Sequence, residues 1–125
     1  GSETVLLVED EDAVRALECE VLGMYGYTIL EASNGQEAIQ IFERQMDSIQ
    51  LVITDLVMPK MNGRELAERI TSLRPETRVL FVSGYTPEAV ARRGILEPET
   101  LFLQKPFTPY SLAHKVREVM DTQHV

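Results

Sequence analysis

Residues 51–63 read LVITDLVMPKMNG, and this stretch decides how the rest of the chain is interpreted. Its first four residues are apolar or β-branched, which is typical of a strand buried on both faces of a parallel sheet. Asp55 ends that run, and Pro59 and Gly63 interrupt regular structure after it. The pattern predicts a buried strand that presents the carboxylate of Asp55 at its C-terminal end.

Two more apolar runs end in charged residues. Residues 5–8 precede the acid pair Glu9-Asp10, and residues 101–103 precede the pair Lys105-Pro106. In a parallel sheet the C-terminal ends of the strands lie at one edge, where ligands bind. We therefore expect carboxylates from two strands and an ammonium from a third to form a pocket for a divalent cation and an anion.

The chain alternates short apolar runs with amphipathic segments, which indicates βα units around a parallel sheet. The predicted strands are Val5–Val8, Thr28–Glu31, Leu51–Thr54, Val79–Val82 and Leu101–Leu103. Strands and helices in this number predict an α/β fold: a flavodoxin-like three-layer sandwich with strand order 2-1-3-4-5 and five helices. Its ligand crevice would lie beside the first and third strands.

The helical segments carry recognisable start and stop signals. Thr86-Pro87 and Thr108-Pro109 each resemble an N-cap followed by a first helical residue, and Gly94 would stop the fourth helix. In the first helix the apolar residues recur at helical spacing and are expected to face the core: Val14, Leu17, Val21 and Met24. The opposite face, with Arg15, Glu18 and Cys19, is then expected to be exposed and is a candidate docking surface.

Composition restricts the class of protein. The chain has 125 residues, 44% of them hydrophobic, and a formal net charge of −8, which argues against nucleic-acid binding. No apolar run is long enough to span a membrane, and the single cysteine, Cys19, fits a reducing, cytoplasmic setting. Residues 1–2 are interpreted as a remnant of tag cleavage, which leaves one domain over residues 3–125.

The residue types at the predicted edge suit phosphoryl transfer. A carboxylate such as Asp55 can accept a phosphoryl group as an acyl phosphate, and Mg²⁺ is commonly held by one or two carboxylates. Asp10 and Asp55 are the expected direct ligands, with Glu9 acting through water, while Lys105 and Ser83 would meet the phosphoryl oxygens. A structural alternative is that Asp10 or Asp12 simply caps the first helix.

These motifs together resemble the receiver (response-regulator) domain of two-component phosphorelays, over residues 4–121. The resemblance rests on Glu9-Asp10, on Asp55 with Pro59 and Gly63, on Ser83-Gly84, and on Lys105-Pro106-Phe107. It implies that Asp55 accepts a phosphoryl group from a phosphohistidine. It further implies Mg²⁺, for which Mn²⁺ could substitute, with the carbonyl of Val57 as a ligand, and a cis peptide bond between Lys105 and Pro106.

The segments 79–86 and 103–108 more narrowly resemble receivers at the C-termini of hybrid sensor histidine kinases. The expected partner is therefore a histidine kinase or a histidine phosphotransfer domain, and a parent kinase could be membrane-anchored. Switching in the family couples Ser83 to an aromatic residue, here Phe102, which has no hydroxyl to hydrogen-bond. Receivers often dimerise through the surface formed by the fourth helix, the fifth strand and the fifth helix. The predicted fourth helix is short, so we expect a monomer rather than a dimer through this surface.

Two other functions remain open on the sequence. Residues 10–14 also match the D-x-D-x-[TV] motif of haloacid-dehalogenase-like phosphatases, in which Asp10 would be the nucleophile and Asp12 the general acid. That interpretation leaves Asp55 unexplained. The other alternative is a degenerate receiver that acts as a phosphorylation-independent interaction module, against which the complete set of site residues argues.

Overall fold

The computed structural model describes residues 3–84, 86, 89 and 101–121. All its strands run parallel in one five-stranded sheet of order β2-β1-β3-β4-β5. The strands are β1 (Thr4–Val8), β2 (Thr28–Ala32), β3 (Ile49–Asp55), β4 (Arg78–Ser83) and β5 (Phe102–Gln104). The helices within the described ranges are α1 (Asp12–Met24), α2 (Gly35–Gln45), α3 (Gly63–Leu73) and α4 (Pro109–Asp121).

The flavodoxin-like strand order predicted from the sequence is confirmed. The fourth of the five predicted helices, between Pro87 and Gly94, lies outside the described residues. Its predicted N-cap is within them: the hydroxyl of Thr86 accepts a hydrogen bond from the amide of Ala89 at 3.1 Å. Thr108 acts in the same way before α4, where it accepts from the amide of Ser111 at 3.0 Å.

Strand alternation divides the core into two layers. On one face α1 and α4 pack over one set of alternating strand positions: Val5, Leu7, Leu51, Ile53, Leu80 and Val82. On the other face α2 and α3 cover a second set, which includes Leu6, Val8 and Val52. Because successive side chains point to opposite faces, a residue's place in its strand decides which helix pair it meets.

The inward face of α1 differs from the prediction. Leu17 is 58% exposed and Met24 is 77% exposed, whereas Glu18 is buried together with Val21 and Leu22. Cys19, expected to be exposed, is half-buried and packs against the core. The helix is rotated about its axis relative to the predicted apolar stripe. Because adjacent residues lie about 100° apart around the axis, a rotation of less than that angle turns Glu18 inward in place of Leu17. The candidate docking surface therefore loses Glu18.

Side-chain caps define the first residues of α2 and α3, and the loops before these helices lie at the C-terminal edge of the sheet. Asn34 caps α2 by accepting from the amide of Glu37 at 2.8 Å. Asn62 caps α3 by accepting from the amide of Glu65 at 2.9 Å, and the Glu65 side chain completes a capping box. Side-chain caps of this kind define where the helix begins, and so they limit the length of the loop before it.

Candidate functional site

The acid pair follows β1 directly. The backbone amide of Glu9 donates to the carbonyl of Ala32 at 3.1 Å, which extends the pairing with β2 by one residue. The Glu9 carboxylate is fully buried and accepts from the amide of Glu11 at 3.1 Å. Arg15 donates to the Glu9 carbonyl at 2.7 Å and fixes the backbone. Glu9 thus turns inward, while the neighbouring Asp10 is exposed.

Neither Asp10 nor Asp12 is the N-cap of α1. That position belongs to Glu11, whose side chain makes no capping hydrogen bond. Asp12 is the first helical residue and pairs with Arg15 at 2.7 Å. The structural alternative of a simple helix cap therefore does not account for Asp10.

Asp55 ends β3 and is held there by its neighbours along the backbone. The amide of Leu56 donates to the carbonyl of Val82 at 3.0 Å, and the amide of Gly63 donates to the carbonyl of Leu56 at 2.8 Å. A Cβ atom on Gly63 would collide with the carbonyl oxygen of Asp55, so the start of α3 can approach β3 this closely only with glycine. Asp55 is consequently 8% exposed, and the following Val57 has an outward-facing side chain.

Lys105 joins the two acidic strand ends. Its ammonium lies 3.0 Å from Oε2 of Glu9 and 3.0 Å from Oδ1 of Asp55. Its backbone amide donates to the carbonyl of Ser83 at 2.7 Å, which aligns the end of β5 with the end of β4. The peptide bond between Lys105 and Pro106 is cis. The three strand ends that the sequence singled out therefore meet at one point.

Burial and charge give the two buried carboxyl groups different proton affinities. Burial raises the pKa of Asp55 to about 7; the bond from Lys105 opposes this rise and the proximity of Glu9 adds to it. Burial also pushes the pKa of Glu9 up, but its hydrogen bonds to the Glu11 amide, Asp55 and Lys105 outweigh burial and leave it lowered. Burial lowers the pKa of Lys105, whereas its bonds to Asp55 and Glu9 raise it to about 12.

The carboxylates can share one cation. Glu9, Asp10 and Asp55 each offer an oxygen, and these oxygens lie within 4.8 Å of one another. Carboxylate oxygens are the ligands that hard divalent cations prefer, and Lys105 is the one cation paired with these carboxylates among the described residues. The donor set therefore fits a divalent cation held at the edge of β1 and β3.

Ser83 and Phe102 lie on the neighbouring strands β4 and β5, and Ser83 is paired with Gln104 rather than with Phe102. Ser83 is 4% exposed and is the last residue of β4. Phe102 is half-buried, is paired in register with Phe81, and packs against the apolar cluster formed by Phe81 and Leu56. Phe102 thus adjoins the apolar cluster that contains Leu56, the residue after Asp55.

Glu18 is the ionisable group near the site that the sequence analysis misplaced. Burial raises its pKa to about 7, and the negative charge of Glu9 contributes to the rise. Leu17 and Met24 led to the wrong prediction for Glu18, because they match the helical period as well as the residues that are buried in the structure do. The available signal was the run Glu18, Val21, Leu22, which also follows i, i+3, i+4 spacing.

Comparison with known proteins identifies the family. A family model for the response regulator receiver domain matches residues 5–117. The chain belongs to this family. It is 42% identical over 123 residues to the sensor kinase CckA of Brucella abortus, covering 98% of this chain and 13% of that kinase. It is 31% identical to the response regulator receiver protein CpdR of the same organism, covering 93% of this chain and 95% of CpdR.

Solved structures agree with this assignment. The crystal structure of the receiver domain from the hybrid histidine kinase CckA has a TM-score of 0.80 at 35% identity, covering 94% of this chain and 99% of that domain. A response regulator receiver domain protein from Clostridium thermocellum has a TM-score of 0.84 at 27% identity, covering 95% of this chain and 94% of that one. None of the helices within the described ranges is both long and apolar enough to cross a membrane.

The receiver resemblance drawn from the sequence is therefore confirmed, and neither rival function is favoured. The haloacid-dehalogenase interpretation required Asp10 as the nucleophile. In the structure it is Asp55, rather than Asp10, that pairs with the partly buried ammonium of Lys105. The family also accounts for Asp55, which the phosphatase motif did not.

Proposed function

We propose that this receiver domain, over residues 3–125, accepts a phosphoryl group on Asp55 from a phosphohistidine of a histidine kinase or a histidine phosphotransfer domain. The observation that carries the proposal is the placement of Asp55 within 3.0 Å of the Lys105 ammonium and beside two further carboxylates. Phosphoryl transfer requires positioning and charge stabilisation around the transferred group, and this set of residues offers both.

Mg²⁺ is the proposed cofactor, and Mn²⁺ has the same ligand preferences. The residues that would hold it are Asp10 and Asp55 directly, the backbone carbonyl of Val57, and Glu9 through water. When bound, the cation neutralises charge on the phosphoryl oxygens as transfer proceeds. Its presence also keeps Asp55 ionised, which matters because burial raises the pKa of Asp55 to about 7 without it.

The chemical step is a substitution at phosphorus. A carboxylate oxygen of Asp55 forms a bond to phosphorus as the P–N bond of the phosphohistidine breaks. The electron pair of that bond stays on the imidazole nitrogen, which leaves as neutral imidazole when the second ring nitrogen is protonated. Lys105 and Ser83 are proposed to donate hydrogen bonds to the phosphoryl oxygens. Phosphorylation of Asp55 would turn its ionised oxygen into the bridging oxygen of the acyl phosphate, and the negative charge of the phosphoryl oxygens would draw Lys105 toward them.

Likeness to the sensor kinase CckA, at 42% identity, supports a hybrid histidine kinase as the parent protein. This chain spans 13% of the length of that kinase. We expect a monomeric domain that works in the cytoplasm and contacts neither nucleic acid nor membrane. The net charge of −8 is unfavourable for contact with nucleic acid.

Coupling between Ser83 and Phe102 would rest on packing, since Phe102 has no hydroxyl.

Intact mass spectrometry after incubation with acetyl phosphate and Mg²⁺ tests the proposal. The expected result is one phosphate adduct on the unmodified chain that is absent without the cation and absent in Asp55→Asn. Asp47→Asn is the matched control, because Asp47 is exposed between α2 and β3 and should leave the adduct unchanged. An adduct that persists in Asp55→Asn and disappears in Asp10→Asn would favour the phosphatase interpretation. Folded protein without any adduct would favour an interaction module.

A further inference from the structure

Glu18 is a buried carboxyl group without a hydrogen-bond partner. It lies on the inward face of α1, is 3% exposed, and neither of its carboxylate oxygens is hydrogen-bonded to any described residue. An unpaired charge or polar group in the interior is costly, so such a residue in the middle of an apolar layer calls for a physical explanation.

The layer that contains Glu18 ends in the phosphoryl-transfer site. Strand alternation places Glu9 after Val5 and Leu7 on the α1 side of the sheet, and Asp55 follows Leu51 and Ile53 on the same side. Lys105 likewise continues the positions of Leu101 and Leu103, which pack against this core. Glu18 is six residues into a helix that begins at Asp12, about 9 Å along its axis. It therefore lies in the layer directly behind the site.

The charged groups that act on Glu18 are those of the site. Burial is the main cause of the raised pKa of Glu18; the charges of Glu9 and Asp55 add to the rise, and the charge of Lys105 opposes it. The other Lys and Arg residues of α1 and α4 are engaged elsewhere: Arg15 pairs with Asp12 and Glu31, Lys115 with Glu118, and Arg117 with Glu3 and Asp121. Among the described residues, Lys105 is thus the cation suited to meet the Glu18 carboxylate.

We propose that Glu18 is a positioning residue for Lys105 during phosphoryl transfer. In the structure the Lys105 ammonium is held by Glu9 and Asp55, at 3.0 Å from each. Both acceptors are drawn away in the proposed function, on which this inference rests: Glu9 and Asp55 face a cation, and an ionised oxygen of Asp55 becomes the bridging oxygen of an acyl phosphate. The carboxylate of Glu18 then becomes the buried acceptor that keeps the ammonium in place behind the phosphoryl oxygens.

This role has a definite sign. A carboxylate that only adds negative charge behind Asp55 would repel an incoming phosphoryl group, and its removal would speed phosphorylation. A carboxylate that positions Lys105 has the opposite effect, since its removal leaves the ammonium less well oriented and slows phosphorylation. Positioning also requires the ionised form of Glu18, so its contribution grows as the pH rises through the neutral range.

The experiment compares initial rates of phosphorylation by acetyl phosphate at saturating Mg²⁺, measured by intact mass. The variants are Glu18→Gln, which keeps the shape of the side chain, and Glu18→Met, which fills the same space with an apolar chain. Glu20→Gln is the matched control, because Glu20 is exposed on the same helix and carries the same charge. Each rate is measured from about pH 6 to about pH 8, and again in a Lys105→Met background.

We expect both Glu18 variants to be slower than the unmodified chain by roughly threefold to tenfold at about pH 8, with the deficit shrinking toward about pH 6. Glu20→Gln should match the unmodified chain. In the Lys105→Met background the Glu18 substitutions should have no further effect. Faster phosphorylation of the variants, a deficit independent of pH, or a deficit that persists without Lys105 would each overturn the inference. An unmodified chain that takes up no phosphate would instead contradict the proposed function.

Discussion

The ammonium of Lys105 is 3.0 Å from Oδ1 of Asp55, so the cation of one strand end is bonded to the carboxylate of another. The same ammonium bonds to Glu9, also at 3.0 Å. Lys105 thereby offsets part of the negative charge that β1 and β3 bring to the edge of the sheet. It also occupies oxygens that a divalent cation would use, which makes ammonium and metal competitors for the same acceptors.

Lys105→Met should raise the affinity for Mg²⁺ while lowering the rate of phosphorylation. Removing a positive charge beside the acid pair should lower the dissociation constant for Mg²⁺ roughly tenfold. This change is smaller than the several kcal/mol that Coulomb's law gives for the interaction between two partly buried charges. Isothermal titration calorimetry measures the affinity. Lys115→Met removes the same charge from a lysine on α4 that pairs with Glu118, and it should leave the affinity for Mg²⁺ unchanged. Equal or weaker binding in Lys105→Met would refute the competition.

Asp55→Asn should stabilise the domain when divalent cations are absent, in a pH-dependent way. Burial raises the pKa of Asp55 from 3.8 to about 7, so the folded state binds a proton more tightly than the unfolded state does. The cost of ionising Asp55 is therefore absent below its unfolded pKa, grows as the pH rises between the two pKa values, and is complete above about pH 7.

Urea denaturation in the presence of a chelator measures this effect. We expect Asp55→Asn to unfold with a free energy about 1–3 kcal/mol higher than that of the unmodified chain at about pH 8. The difference should become small at about pH 4, close to the unfolded pKa of 3.8, where most of the cost of ionising the folded carboxyl is absent. A gain that is the same at both pH values, or a loss at the higher one, would count against the assigned shift.

Mg²⁺ should raise thermal stability through Asp10. A ligand that binds the folded state at about 100 times its dissociation constant adds about 2.7 kcal/mol to the free energy of unfolding. Differential scanning calorimetry with and without the cation should show the gain for the unmodified chain and for the control Asp47→Asn. Asp10→Asn should lose most of it, since the neutral amide is a weaker ligand. A full gain in Asp10→Asn would exclude this residue as a ligand.

Gly63→Ala should destabilise the fold and displace the loop after β3. The added Cβ would meet the Asp55 carbonyl and lie 3.0 Å from the Cα of Leu56, and backbone atoms cannot yield as a flexible side chain can. We expect a loss of about 1–3 kcal/mol, measured by urea denaturation. Gly23→Ala is the matched control: it lies in α1 with nothing within 4 Å, and should gain about 0.5–1 kcal/mol. Equal stability of the two variants would contradict the close approach.

The sequence predicted the edge of the sheet well for a simple reason. Glu9, Asp55 and Lys105 each follow a buried apolar run, and parallel strands end at the same edge, so convergence follows from topology alone. Strand parity added the face, because Glu9 and Asp55 continue alternating rows that begin at Val5 and Leu51. Local signals also sufficed for the caps at Thr86 and Thr108, where a hydroxyl two or three residues before a helical amide is enough.

The sequence by itself therefore determined the strand order, the edge that carries the site and the residues that meet there. The tertiary structure decided how α1 is rotated, which buries Glu18 and leaves Leu17 58% exposed. A helix presents several apolar sets at nearly the same period, and the choice among them depends on packing against the sheet and α4, which local sequence does not encode. The pKa of Asp55 depends on the tertiary structure in the same way, because it follows from burial and from groups far apart in the chain.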